Sequence, residues 1–328
     1  MKAITYTEYG SPSVLKLSDV AKPAPKDDEV LIRVRAAEAT KADCELRGFR
    51  FSVKWFWLPL RLAVGVRRPK RPVLGGYFAG EIAELGSGVT GFSVGDRVFG
   101  GAGLGMGAYG EYLTLPAKSA TATMPADMTF EQAAAVPLGG LNALHFMRLA
   151  KLQEGETVLI NGAGGSIGAH GVQIARAMGA EVTGVDAGHK EQMLRDLGVD
   201  HFIDYQSQDF TQSGNRYDVI FDMVPSSNFG ACIRTLKPEG RYLSGNPRLS
   251  VMLRSAWVSR FTDKTASFRF AKETVEELQT LREMIEAGSI TPIVDRVLPM
   301  EQAAEAHRLV ESERRCGAIV LSIGEAAV

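Results

Sequence analysis

Residues 157–186 read TVLINGAGGSIGAHGVQIARAMGAEVTGVD, and this stretch decides the fold. A short apolar strand, 157–160, runs into a glycine cluster, then a helical pattern, then a second strand that ends in an acid. Each part has a chemical reason. Gly162, Gly165 and Gly168 permit a tight turn, a close backbone approach to a diphosphate, and packing of the helix on the strand. Ser166 and Ile167 open the helix, whose N-terminus offers free N–H groups and a positive dipole end to an anion. Ile167, Gly171, Ile174 and Met178 recur at helical spacing and give the helix a face to bury. The glycines stand three apart, so the G-x-G-x-x-G spacing is met only by Ala163, Gly165 and Gly168, with alanine in the first place. In a strand–turn–helix–strand setting with a terminal acid, the pattern points to a bound dinucleotide rather than to a plain connecting loop.

Outward from this unit the pattern repeats. Apolar strands at 157–160, 181–185, 201–204, 217–224, 241–244 and 267–270 alternate with helices. Near-continuous apolar runs such as YDVIFDMV suit strands covered on both faces, which predicts a doubly wound parallel sheet, an α/β fold. The first third differs. Alternating runs (KAITYTEY, EVLIRVRAAE, residues 81–85, DRVFG, GEYLTLP) are punctuated by glycine and proline, the mark of a small antiparallel β-domain. After residue 272 an amphipathic helix ends at Gly288. A helix over 300–312 and a strand over 318–322 close the sequence.

Composition narrows the class. At 328 residues there is room for two cores, and a net charge of −1 gives no reason to expect nucleic acid as a partner. No apolar window is long enough to span a bilayer, and the N-terminus does not read as a signal peptide. Cys44, Cys232 and Cys316 are far apart, which fits a reducing, cytoplasmic setting and no disulfide framework. The five histidines are equally scattered and read as surface or packing residues.

Several longer segments carry a family resemblance: MKAITYTEYGSPSVLKL, VLGGYFAGEIAELGSGVTGFSVGDRVFG, the glycine unit itself, LGVDHFIDY and RRCGAIVL. Together they resemble the medium-chain dehydrogenase/reductase superfamily, in its zinc-independent, zeta-crystallin-like quinone oxidoreductase branch. The resemblance implies a GroES-like, β-rich catalytic domain built from residues 1–137 and 271–328. It also implies an inserted Rossmann dinucleotide-binding domain over 138–270, with a cleft between the two for nicotinamide and substrate. Zinc-containing relatives hold their catalytic metal with a Cys, a His-Glu pair and a second Cys. Thr40, Gly76–Tyr77 and Pro137–Leu138 stand at those places, and the four-cysteine lobe for structural zinc is missing. A catalytic zinc needs three protein donors, so no metal is expected.

Without that Lewis acid, hydride transfer from NADH or NADPH to a quinone or α,β-unsaturated carbonyl is the expected chemistry, aided by a donor to the developing oxyanion. Tyr77 is the candidate donor, or else a wall of the pocket. Thr40 and Asp43 match the N-x-x-D element of quinone reductases with threonine for asparagine; Asp43 either serves the cleft or fixes a turn beside it. Asn142 either reaches the nicotinamide or caps a helix. Asp186 ends the second strand, where an acid binds the adenosine ribose and repels a 2′-phosphate, which favours NADH. Lys190 and Tyr205 fall where NADPH-using relatives place phosphate contacts. A carboxylate beside a phosphate is costly, and the balance tips toward NADH. Val224–Pro225 and Gly245–Asn246 follow the fourth and fifth strands and should border the nicotinamide half.

Two further expectations concern partners. Residues 47–72, RGFRFSVKWFWLPLRLAVGVRRPKRP, combine aromatic and basic side chains. They read as a cover over the cleft for a small lipophilic carbonyl or quinone, in preference to a peripheral membrane contact. The edge strand 267–270 predicts a homodimer, since pairing across a two-fold axis protects an open edge. The alternative to an enzyme is a nicotinamide-cofactor-binding protein with little turnover, acting as a redox-sensing or membrane-associated partner.

Overall fold

The computed structural model describes residues 1–51, 57–245, 248–268 and 271–324. A short antiparallel pair, β1 (Lys2–Thr5) and β2 (Lys16–Asp19), precedes a seven-stranded sheet. That sheet takes β3 (Glu29–Ala39), β4 (Tyr77–Leu85), β5 (Arg97–Gly101), β6 (Tyr112–Pro116) and β7 (Thr121–Thr123) from the first part of the chain. Helices α1 (Lys41–Gly48) and α2 (Trp57–Val64) lie between β3 and β4, and α3 (Phe130–Ala134) and α4 (Val136–Ala150) follow β7.

The parallel sheet comes next. Its strands are β8 (Thr157–Asn161), β9 (Glu181–Asp186), β10 (His201–Asp204), β11 (Tyr217–Asp222), β12 (Leu236–Ser244) and β13 (Thr265–Ser267). Helices α5 (Ser166–Ala177), α6 (Glu191–Asp196), α7 (Phe229–Arg234) and α8 (Leu249–Phe261) connect them. After α9 (Val275–Glu286), β14 (Val294–Pro299), α10 (Ala303–Glu311) and β15 (Ala318–Ser322) return to the first sheet, where β15 pairs with β3.

The order of the parallel sheet, β10-β9-β8-β11-β12-β13, is that of a doubly wound dinucleotide fold. It reverses between β8 and β11, so the ligand crevice belongs at their carboxyl ends. Local sequence explains the framing elements. α4 accepts Pro137 in its first turn, where no N–H is needed, and ends at Lys151 in the left-handed region. Thr274 caps α9 from its hydroxyl, and Gly288, at φ +71°, turns the chain away beyond it. A single apolar core joins the two sheets: Ala36, Ala79 and Phe99 of the first meet Val136, Leu141 and Phe146 of α4, which meet Ile160 and Phe221 of the second. The Phe146 and Phe221 rings lie 4.8 Å apart.

Several predicted boundaries shift. The strand expected over 217–224 stops at Asp222, because the Asp222 carboxylate accepts from the Val224 N–H and turns the chain. The strand expected over 241–244 is the second half of β12, and those over 157–160 and 181–185 each run one residue further. The edge strand is β13 rather than 267–270: only Ser267 belongs to both, and Arg269 and Phe270 lie outside the described residues. Residues 47–72 are not one loop. Their described parts include the last turn of α1 and all of α2, which folds back so that Trp57 meets Phe49 at 5.9 Å and Arg61 lies over the rings of Tyr9 and Phe49.

Candidate functional site

The glycine turn is built as its sequence implies. Gly162 holds φ +86°, open to glycine at little cost. A Cβ on Gly168 would overlap the Gly162 carbonyl oxygen and Ala163, so only glycine lets α5 start this close to the turn. Gly165 is the N-cap of α5 and no side chain caps it, which leaves the first N–H groups of the helix, Ser166 and Ile167 among them, available to an anion.

Asp186 at the end of β9 is buried, and its carboxylate is fully engaged. Oδ2 accepts from the Gly164 N–H at 2.7 Å, while Oδ1 accepts from the Ala187 N–H at 2.8 Å and pairs with Lys190 Nζ at 3.0 Å. Lys190 is buried too and lies across Gly164. As placed, it is the counter-ion of Asp186 rather than an open phosphate contact. Beside the pair opens a cleft of about 990 Å³, lined by Gly162, Asp186, His189, Tyr205, Val224 and Arg314 among others. The Tyr205 ring is 58% exposed at its wall.

At the reversal point β8 and β11 end in Asn161 and Asp222, which are bonded to each other. Asp222 Oδ1 accepts from Asn161 Nδ2 at 3.0 Å, Ser227 Oγ at 2.9 Å and the Val224 N–H at 3.0 Å; Oδ2 accepts from the Tyr242 hydroxyl at 2.7 Å. Burial pushes the Asp222 carboxyl up against the pull of these donors. The network fixes the loop that carries Val224 and the half-buried Pro225 to the cleft. Gly245 donates to the Asp222 carbonyl at 3.0 Å and sits against Met223; Asn246 lies outside the described residues.

The β-rich side places the other candidates. Thr40 is the N-cap of α1 and forms a reciprocal capping box with Asp43. Both are buried, and Asp43 Oδ1 also accepts from the Gly75 N–H at 3.0 Å, two residues before Tyr77. Their polar atoms are engaged in this joint, which ties α1 to the loop before Tyr77. Half-buried Tyr77 donates its hydroxyl to Glu273 Oε1 at 2.6 Å, and burial with the nearby Glu273 charge pushes its pKa far above the usual phenol range, so the hydroxyl holds its proton. Asn142 is a mid-helix residue of α4 that donates to the Leu138 carbonyl at 2.9 Å; it caps nothing, because the helix begins six residues earlier.

Sequence reading passed over Asn161, Gly164, Asp222 and Ser227 at or near the cleft, and Glu38 and Glu273 of the facing elements. Polar residues ending two apolar strands, LIN and IFD, were the available signal for the first group. Nothing local marks Glu273, whose partner is almost two hundred positions away.

A doubly wound sheet with an uncapped glycine turn, set against a GroES-like sheet, defines a two-domain nicotinamide-dependent oxidoreductase. Residues 26–126 match the alcohol dehydrogenase GroES-like domain, and residues 197–321 match the family described as zinc-binding dehydrogenase. The quinone oxidoreductase of Rattus norvegicus is 30% identical over 337 residues, covering 98% of this chain and 97% of its own. The 2-methylene-furan-3-one reductase of Solanum lycopersicum is 29% identical over 335 residues, covering 98% and 79%. The solved quinone oxidoreductase from Coxiella burnetii superposes with a TM-score of 0.88 at 28% identity, over 99% of each chain. The chain belongs to the quinone oxidoreductase branch of the medium-chain dehydrogenase/reductase superfamily. The zinc in one family description does not fit the donors present: Thr40 is consumed by Asp43, Tyr77 by Glu273, and Gly76, Pro137 and Leu138 offer no ligand side chain. Among the described residues no three His, Cys, Asp or Glu side chains gather to hold a metal.

Proposed function

We propose that the protein is a zinc-independent NAD(P)H-dependent reductase of quinones or α,β-unsaturated carbonyls. Residues 1–137 with 271–328 would form the catalytic body, and residues 138–270 would hold the cofactor. The observation that carries the reading is the uncapped glycine turn at the sheet's reversal point beside the cleft of about 990 Å³; at the place of the metal ligands the β-rich domain offers the Tyr77 hydroxyl instead. Gly162, Gly165, Ser166, Ile167 and Gly168 would hold the diphosphate, and Val224, Pro225 and Gly245 would border the nicotinamide half. When bound, the dinucleotide supplies hydride. This chain's part is to bind and orient it and to present Tyr77 toward a developing oxyanion. The position of Asp186 at the end of β9 supports NADH over NADPH, since an acid there suits a ribose hydroxyl better than a 2′-phosphate even with Lys190 offsetting part of its charge. The names of the rat and tomato relatives support a quinone or an enone as acceptor.

Steady-state oxidation of NADH and NADPH with a panel of small quinones and enones, in chelator, tests the proposal. Chelator-resistant turnover with at least one acceptor is expected, while about one tightly bound zinc per chain by elemental analysis would overturn it. A homodimer through the β13 edge belongs to the same proposal, and a monomer by light scattering at micromolar concentration would exclude it. A second reading, a cofactor-binding protein with little turnover, is favoured by one observation: the Tyr77 hydroxyl is already committed to Glu273. Cofactor binding without oxidation by any acceptor would select it.

A further inference from the structure

Glu38 is a buried acid to which neither the resemblance nor the cleft chemistry gives a role. Its place follows from the alternation of β3. Ala37 and Ala39 pack with Phe78 inside the β-rich domain, whereas Ala36 packs with Ala79 and Val320 in the core shared with the parallel sheet. Glu38 stands two residues after Ala36 and pairs directly with Val320, so its side chain enters that shared face. One step beyond the Ala37–Phe78 pairing, the register sets it opposite Tyr77.

There the side chain is 0% exposed, and among the described residues neither carboxyl oxygen has a hydrogen-bond partner. Beside it lies the Ser166 hydroxyl, buried on the first residue of α5, without a well-formed hydrogen bond but close enough to favour the ionised acid against the larger effect of burial. A buried carboxylate without donors is costly enough to stay protonated, and burial raises Glu38 to about 8. The surrounding charges do not reverse this. Arg315, before β15, favours the ionised form, and Asp43 of α1 opposes it. Tyr77 and Tyr109 nearby are held neutral mainly by burial, with a smaller contribution from Glu38 when it is ionised. His170, one turn along α5, is kept neutral by burial, its Nε2 unpartnered.

We propose that Glu38 makes dinucleotide binding proton-linked: the neutral acid admits a diphosphate at the Ser166 end of α5, and the ionised acid opposes it. The proposal rests on the cofactor reading above and deepens it. The helix start favours an anion through its free N–H groups and dipole, and a second negative charge pressed against Ser166 cancels that advantage. Conversely, a bound diphosphate holds the proton on Glu38 more tightly, so binding at alkaline pH must take up a proton.

The test is titration of the full chain with NADH between about pH 6.5 and 9.5, followed by fluorescence, for the parent and for Glu38→Gln, with Glu38→Ala as a second uncharged variant. The parent should hold its affinity to about pH 8 and then lose up to about tenfold per pH unit, while both variants stay nearly flat. Calorimetry near pH 8.5 in two buffers of different ionisation heat should show proton uptake for the parent and none for the variants. Parallel pH profiles, or binding without proton exchange, would overturn the proposal while leaving the cofactor reading intact. Failure of the parent and the folded variants to bind NADH or NADPH at any pH would overturn both.

Discussion

On the Rossmann side of the glycine turn, Asp186 and Asp222 end adjacent regions of one sheet and are met by donors at every oxygen. On the β-rich side, Glu38, one residue from the end of β3, has no well-formed hydrogen bond among the described residues, and Glu273 accepts from the Tyr77 hydroxyl. All four acids lie within the same two-domain arrangement, yet they do different work. A carboxylate ringed by backbone N–H groups, an amide and a lysine is a fixed strut, because its charge is already compensated. An unpaired buried acid is a group whose protonation a neighbouring ligand can change. The Rossmann half is therefore built to be rigid and the β-rich half to respond.

The sharpest way to break the first half of this contrast is Asp222→Ala. Four donors from Asn161, Ser227, Val224 and Tyr242 would lose their acceptor at once, so a loss of about 4 kcal/mol is expected in urea unfolding. Asp222→Asn, which keeps an acceptor, should lose less. Stability within about 0.5 kcal/mol of the parent would show that the network is not a strut.

Glu38→Gln sharpens the second half. Folding raises this carboxyl from its ordinary range to about 8, so the native state binds the proton that the unfolded chain has already released. The parent should lose stability relative to the variant as pH climbs from about 5 to 8, by up to roughly 1.4 kcal/mol per pH unit, and the gap should stay constant above that window. Asp43 and Asp222, also raised by burial, are common to both proteins and cancel in the difference. Equal pH dependence would mean that Glu38 finds a partner in solution.

The rigid half was the legible half. The glycine unit and the alternation of strands and helices could be read because each depends on neighbours within about thirty residues: a turn that only glycine permits, a helix face, an acid closing a strand. The return of the tail to β3, about 280 positions back, came only with the family resemblance. The contacts that give each polar residue its task were not legible. Asp186 looked like a ribose acid and Lys190 like a phosphate contact, and nothing in VDAGHK announces that they pair with each other and with Gly164. Thr40 and Asp43 stand three apart, the spacing of a capping box, and of the two readings left open for Asp43 the structure shows the turn-fixing contact. Glu38 was invisible because its meaning comes from Val320, Ser166 and Tyr77, three segments that only the tertiary fold brings together.

Asp186→Ser tests whether the compensated carboxylate also selects the cofactor. Removing it strands a buried lysine and frees Lys190 for a 2′-phosphate. NADH binding should weaken by about 1.5–3 kcal/mol, roughly tenfold or more, and the ratio of affinities should move toward NADPH. Unchanged or tighter NADH binding would confine Asp186 to holding the turn.

The smallest expected change in stability comes from Tyr77→Phe, which separates the two tasks left to the responsive half. The substitution deletes the hydroxyl that donates to Glu273 at 2.6 Å and leaves the ring in place. Glu273 can turn toward solvent from a half-buried contact, so unfolding should register only about 1 kcal/mol. Catalysis offers a different measure. If the hydroxyl serves the developing oxyanion, kcat with a small quinone should fall about tenfold or more while the affinity for NADH stays constant, because the lost interaction exists only in the transition state. If the ring merely walls the pocket, KM and kcat should both match the parent. Glu273→Gln completes the pair: it keeps an acceptor for the hydroxyl but removes the charge that holds its proton. Turnover restored in that variant and lost in Tyr77→Phe would assign the proton to the tyrosine, and loss in both would assign it to the pair.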